Sequence, residues 1–183
     1  MPILGIIASS ISGNLSTNSY ESISTVTVGA GGASSISFTS IPSTFKHLQV
    51  RFIGRDSTNN EAGMYWRYNS DSGSNYNRHL LRGSGTAASA SGYASAQTQA
   101  GSGYMLPNGT SIFAGGVIDI LDYANTSKYK TSRMLGGYDS NGGGFIILSS
   151  SLWMNTNAIS SIEFTCETTW AQYSQFALFG VKG

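Results

Sequence analysis

Strict alternation of apolar and polar side chains is the sequence feature that most limits how this chain can fold. Leu48, Val50 and Phe52, for example, alternate with polar side chains. A period of two places every apolar side chain on one face of a β-strand, whereas a helix needs apolar spacings of three and four. No window of helical length shows that spacing. The alternation therefore predicts half-buried strands, with an inward face that includes Val26, Val28, Ile36, Phe38, Leu48, Val50, Phe52, Ile162, Phe164, Phe176 and Leu178.

Turn-forming residues separate the alternating segments at short intervals. Gly, Ser, Thr and Asn make up 81 of the 183 residues, and they cluster between the segments, as at 69–75 and 140–144. Such residues provide positive φ angles or local hydrogen bonds in turns and are poor in helix interiors. Short strands with turns about every 8–12 residues are typical of a sandwich or barrel. We expect an all-β, jelly-roll-like antiparallel β-sandwich.

The charge content excludes several classes of protein. Charged residues are 10% of the chain and the net charge is +1, against about 25% charged residues in an ordinary domain. A disordered chain needs low hydrophobicity with high net charge, and a phosphate-neutralising protein needs excess Lys and Arg. The basic residues also do not form a continuous stripe. We therefore expect a folded chain with no nucleic-acid partner.

The length favours one domain, which we place at 20–183, after an N-terminal anchoring arm at 1–19. The arm carries the apolar residues Ile3, Leu4, Ile6 and Ile7. This run is too short to span a membrane and lacks the positive flank of a secretion signal. Such an apolar arm is expected to anchor one protomer to another. The segment 83–103 carries Tyr93 as its single large side chain, which predicts a long exposed loop or an edge hairpin.

Candidate reactive residues are few. Asp119 and Asp122 are the closest acidic pair of interest, and two carboxylates are enough for glycoside hydrolysis; a capping or solvated role is the simpler interpretation. Cys166 continues an apolar alternation and is expected to be a small buried side chain. His47 and His79 have no metal-ligand spacing with other residues. We therefore expect no catalytic residues, no metal and no cofactor.

Aromatic and cationic side chains are densest at 64–68 and continue to 76 and 78. Aromatic faces beside Arg and Asn suit sugar stacking or a protein interface. The simpler interpretation is that Met64, Trp66 and Tyr68 form the buried stripe of a strand. The side chains that we expect at a surface or partner contact are Tyr65, Arg67, Tyr76, Arg78 and Tyr93.

Several segments carry a resemblance to a known family. They lie at 20–29, 32–44, 47–55, 118–125 and 152–157, and at the terminal Phe-Ala-Leu-Phe-Gly-Val-Lys of 176–182. Together they resemble small virion structural proteins of tailed bacteriophages, described as minor tail or tail-fibre-like proteins, many from marine and cyanobacterial phages. The resemblance spans nearly the whole chain except 83–103. It transfers no functional residue, because the family has no catalytic motif to place here.

The resemblance implies a non-enzymatic virion protein assembled in the host cytoplasm. The first expectation is a tail-associated fibre or adhesin domain that contacts the host surface. The alternative is a capsid decoration protein of the cement or head-fibre type, and a more remote one is a polysaccharide depolymerase. Expected partners are other virion proteins, further copies of the chain with a trimer favoured, and a host surface glycan or protein. No membrane insertion is expected.

Overall fold

A computed structural model describes residues 19–58, 60–93 and 96–183. The predicted arm residues Ile3, Leu4, Ile6 and Ile7 lie outside the described residues. The described ranges form twelve strands: β1 Tyr20–Thr27, β2 Ile36–Phe38, β3 His47–Gly54, β4 Ala62–Tyr68, β5 Tyr76–Gly83, β6 Ala88–Gly92, β7 Ala100–Leu106, β8 Ala114–Leu121, β9 Lys130–Asp139, β10 Gly144–Trp153, β11 Ile162–Cys166 and β12 Gln175–Val181. Within these ranges, no helix has the length and apolarity needed to cross a membrane.

The strands form two antiparallel sheets that pack as a sandwich. In the described part of the chain, the large sheet has eight strands in the order β1-β12-β3-β8-β9-β10-β5-β6, and the small sheet has four in the order β2-β11-β4-β7. Strands distant in sequence pair directly, such as β3 with both β12 and β8. The predicted all-β class is confirmed, and the arrangement is consistent with a jelly-roll-like β-sandwich.

The core lies between the two sheets and is built from the inward side chains that the alternation predicts. All of the predicted inward residues are buried except Val26, which is partly buried and packs against the core. Val26 belongs to β1, which among the described strands pairs with β12 alone, at the edge of the large sheet. The predicted stripe of Met64, Trp66 and Tyr68 is also buried. Period-two patterning therefore locates the core correctly.

The Gly/Ser/Ala-rich segment after residue 83 contains an edge hairpin. Strand β6 pairs with β5 from His79↔Gly92 to Gly83↔Ala88, and all five of its residues are exposed. Its outer edge carries only Ala, Ser and Gly, without charge or proline. Of the two alternatives for 83–103, the structure has an edge hairpin at 83–92, whereas 100–103 begin β7 of the small sheet and 100–102 are buried, so the segment is not exposed throughout.

Candidate interaction surfaces

Asp119, on β8, and Asp122, just after it, both make structural contacts. Asp119 accepts a 2.8 Å hydrogen bond from Nε2 of Gln49. Asp122 follows the strand with a φ of 48°, and its backbone N–H donates to Nδ1 of His47 at 2.9 Å. Its carboxylate pairs with Lys46 at 2.9 Å and with Lys128. Asp122 therefore lies in the turn where the sequence places it, held by two lysines.

These contacts predict acid sensitivity. Hydrogen bonds from Lys128 and then Lys46 lower the pKa of Asp122 to about 2. Because the pKa is depressed in the folded state, the stabilisation is present above the ordinary carboxylate pKa and is lost as the pH falls toward 2. We expect Asp122→Asn to lose less thermal stability between pH 5 and pH 2 than the wild type, measured as Tm at each pH. Lys128→Met should reproduce part of that change, and identical pH profiles would contradict the assignment.

Cys166 is buried, and burial raises the pKa of its thiol. A buried, protonated thiol is a poor nucleophile. His79 is exposed on β5, whereas His47 is partly buried and accepts the hydrogen bond described above. Among the residues that the structure describes, no group of three or more His, Cys, Asp and Glu is arranged to hold a metal ion.

The aromatic–cationic residues gather around Arg78, in what we term the Arg78 cluster: Tyr65, Arg78 and Tyr93. The guanidinium lies 4.3 Å from the ring centroid of Tyr93 and 5.6 Å from that of Tyr65. Its Nη2 donates a 2.8 Å hydrogen bond to the Tyr93 hydroxyl. A Cβ atom at Gly101 would lie 2.0 Å from Nη1, so the glycine makes room for the arginine. Aromatic faces on both sides stabilise the buried charge.

This placement corrects part of the predicted surface contact. The prediction is wrong for Tyr76, which is fully buried and whose hydroxyl accepts from the Tyr68 backbone N–H. It is also wrong for Arg78, which is only 7% exposed. Both side chains occupy inward positions of β5, where the pleat directs them between the sheets. Arg67 is partly buried and donates from Nε to the carbonyl of Thr98 at 3.2 Å.

Tyr65 and Tyr93 remain available at the surface. Tyr93 is exposed, and half-buried Tyr65 donates its hydroxyl to Glu167 at 3.3 Å. Burial, followed by the charge of Glu167, raises the pKa of Tyr65. Beside Tyr93, a crevice of about 140 Å³ is also lined by Ser91, Gly103 and Tyr104. That volume is below the roughly 300 Å³ of ordinary ligand pockets, so the crevice suits a single ring or an edge contact.

The outer face of the large sheet carries a larger feature, which we term the apolar block. It spans two neighbouring positions on each of five adjacent strands and contains no charged residue: Gly115, Val117, Leu135, Gly137, Ile146, Leu148, Leu81, Gly83, Ala88 and Ala90. Ile146 is 62% exposed, Leu81 52%, and Leu135 and Leu148 each 49%. Scattered exposed apolar residues are ordinary, but a contiguous patch marks an interaction surface.

The alternation of apolar and polar residues does not indicate the apolar block, because alternation marks strands with a single apolar face. The available signal was the unbroken apolar run Phe145–Leu148, together with Leu80 and Leu81. A continuous apolar run indicates a strand that is apolar on both faces. In β10, Ile147 points into the core, and Ile146 and Leu148 point outward.

Comparison with known proteins adds no identification. No protein-family model, no curated protein and no solved structure matches the chain. The surfaces described above therefore carry the functional inference.

Proposed function

We propose that this chain is a non-enzymatic structural subunit of a tailed-bacteriophage virion, acting as a tail-associated fibre or adhesin domain. The observation that carries the proposal is the apolar block. A surface with several half-exposed leucines is unfavourable in water and is stabilised when another protein covers it. The chain is therefore suited to function inside an assembly.

The distribution of polar groups supports a scaffold role. Asp56, fully buried, accepts hydrogen bonds from the backbone N–H and hydroxyl groups of Thr58 and Thr168. Asp71 accepts from Trp153, Asn75 and the Gly73 backbone. Carboxylates that accept several hydrogen bonds in this way fix loop geometry at the ends of strands. The carboxylates of Asp119 and Asp122 are likewise held by structural contacts.

The proposed host contact lies at the aromatic crevice. Tyr104 is 53% exposed and Tyr93 38% exposed, and hydroxyl groups of Ser89 and Ser91 line the same crevice. Exposed aromatic rings beside hydroxyl donors suit the apolar face and hydroxyl edge of a sugar. A surface glycan is therefore the host ligand that the chemistry of this crevice favours.

The resemblance of the segments at 20–29, 47–55 and 176–182 to minor tail and tail-fibre-like proteins also supports the proposal. Their structural counterparts are β1, β3 and β12, which are adjacent in the large sheet. These three segments therefore lie side by side at one edge of the large sheet.

Purified phage particles provide the test. Quantitative mass spectrometry of particles is expected to detect the chain at a few to tens of copies, and gold-labelled antibodies are expected to mark the tail. Hundreds of copies with label on the head would identify a capsid decoration protein and overturn the tail assignment. Absence of the chain from purified particles would overturn the virion role itself.

A further inference from the structure

The apolar block consists of two parallel rows that run across the strands. The first row, which we term the ridge, follows the register Val117, Leu135, Leu148, Leu81, Ala90. The second row, two residues along each strand, is the trough: Gly115, Gly137, Ile146, Gly83, Ala88. Large side chains thus dominate one row, whereas glycine fills three of the five positions of the other. Glycine in a strand allows close approach of another chain.

The two rows complement each other under a two-fold rotation. The rotation axis lies above the outer face of the sheet, midway between the two rows, and it runs perpendicular to the strands. A rotation of 180° about this axis places the ridge of one copy over the trough of the other. Leu135 then faces Gly137, Leu81 faces Gly83 and Val117 faces Gly115. Ile146 faces Leu148, so the one large side chain of the trough meets an apolar partner. Two-fold contacts require a self-complementary patch of this kind.

The charges that border the block fit the same rotation. On β9, Arg133 lies just beyond the ridge, opposite Asp119 of β8, and Asp139 lies just beyond the trough; Arg133 and Asp139 are both exposed. Because the rotation exchanges the two rows, Arg133 of one copy faces Asp139 of the other, twice per dimer. Opposite charges at the rim fix register, and mismatched charges penalise wrong arrangements. The shape of the two rows therefore defines the axis, and the Arg133–Asp139 pairs are compatible with it.

The size of the surface is adequate for a specific contact. Together with the row of outward residues on either side of it, the five-strand block covers at most about 24 Å by 27 Å, roughly 650 Å². Stable interfaces bury about 800 Å² on each partner, and outward residues of β3, the next strand in the sheet, extend the surface. Ile53 continues the trough beside Gly115 and is 47% exposed.

We propose that a second copy of this chain packs face to face on the apolar block, with the ridge of each copy in the trough of the other. This inference rests on the proposed function only because it takes the apolar block to be an assembly contact. It adds the identity of the partner, which is a second copy of this chain. A closed three-fold ring needs two different patches on each copy. The proposed contact therefore gives a dimer, or an even-numbered dihedral assembly, instead of the simple trimer expected from the sequence.

Sedimentation velocity on the purified full chain tests the pairing. The wild type is expected to sediment as a dimer or a higher even-numbered species. Leu148→Glu is expected to weaken association by about 100-fold or more, because it buries an unpaired charge at the centre of the contact. Gly115→Val is also expected to weaken it by filling the trough, and a Cβ there has no neighbour closer than 3.8 Å within the chain. Leu121→Glu, on the same face outside the block, is the matched control and should associate normally.

A charge exchange tests the axis. Arg133→Glu and Asp139→Arg are each expected to weaken the dimer, and the double variant is expected to restore it. Circular dichroism and thermal unfolding of each variant verify that the fold is intact. A monomeric wild type, a trimer, unchanged association of Leu148→Glu, or no rescue by the double exchange would overturn the proposal. Because the experiment uses purified protein, it can fail while the virion role stands, and it can succeed if the particle lacks the chain.

Discussion

Phe176→Ala is expected to lower the free energy of unfolding by about 3–5 kcal/mol, the cost of removing a large aromatic ring from a packed core. The Phe176 ring is fully buried on β12. Its centroid lies 4.9 Å from that of Trp170, 5.0 Å from that of Phe164 and 5.4 Å from that of Phe52. Phe52 belongs to the large sheet, Phe164 to the small sheet and Trp170 to the connection between β11 and β12, so the cavity would open where the layers meet.

Urea unfolding followed by tryptophan fluorescence measures this change. Phe179→Ala is the matched control, because Phe179 lies on the outer face of the same strand, where Arg51 stacks at 5.1 Å. We expect the control to cost under about 1 kcal/mol. Equal destabilisation by the two substitutions would contradict the sandwich core described here.

Trp153→Ala is the second substitution with a large expected effect, again about 3–5 kcal/mol. The indole is buried at the end of β10, 5.5 Å from the ring of Tyr68 and 6.4 Å from that of Tyr76. Its Nε1 donates a 2.7 Å hydrogen bond to Oδ2 of Asp71. The substitution therefore creates a cavity and removes a donor from a carboxylate.

Trp153→Phe separates the two contributions, because it keeps a ring and removes the donor. Burial by itself raises the pKa of Asp71, but hydrogen bonds from Trp153 and Asn75 outweigh it and lower the pKa. We expect Trp153→Phe to cost about 1.5–3 kcal/mol at neutral pH and to show a smaller loss of stability on acidification than the wild type. A negligible cost of Trp153→Phe would instead assign the whole effect to packing, and a cost as large as that of Trp153→Ala would assign it to the lost donor.

Much of the fold follows from local patterning. Alternation predicts the buried faces of β3, β4 and β11 because a strand with one wet face must repeat every two residues. The same pattern predicts that Cys166 is buried. Which strands become neighbours does not follow, since the pairing of β3 with β8 or of β5 with β10 joins segments far apart in the chain.

The candidate surfaces were harder to predict because β5 reverses the usual pattern. Its inward positions include Arg78 and Arg82, and its outward positions include Leu81. Arg82 is accommodated by the ring of Phe145, 3.3 Å from the guanidinium to the centroid, and by Glu61 at 3.6 Å. Aromatic partners that stabilise an inward arginine come from other strands, so the sequence of β5 alone cannot indicate them.

The most direct measurement asks whether the apolar block is needed for incorporation into the particle. Phage particles are produced with the wild type, Leu148→Glu or Leu121→Glu as the source of this chain, and its copy number per particle is determined by mass spectrometry. We expect Leu148→Glu to fold but to be lost from purified particles, and Leu121→Glu to be incorporated at the wild-type level. Incorporation of Leu148→Glu at the wild-type copy number would show that this face takes no part in assembly.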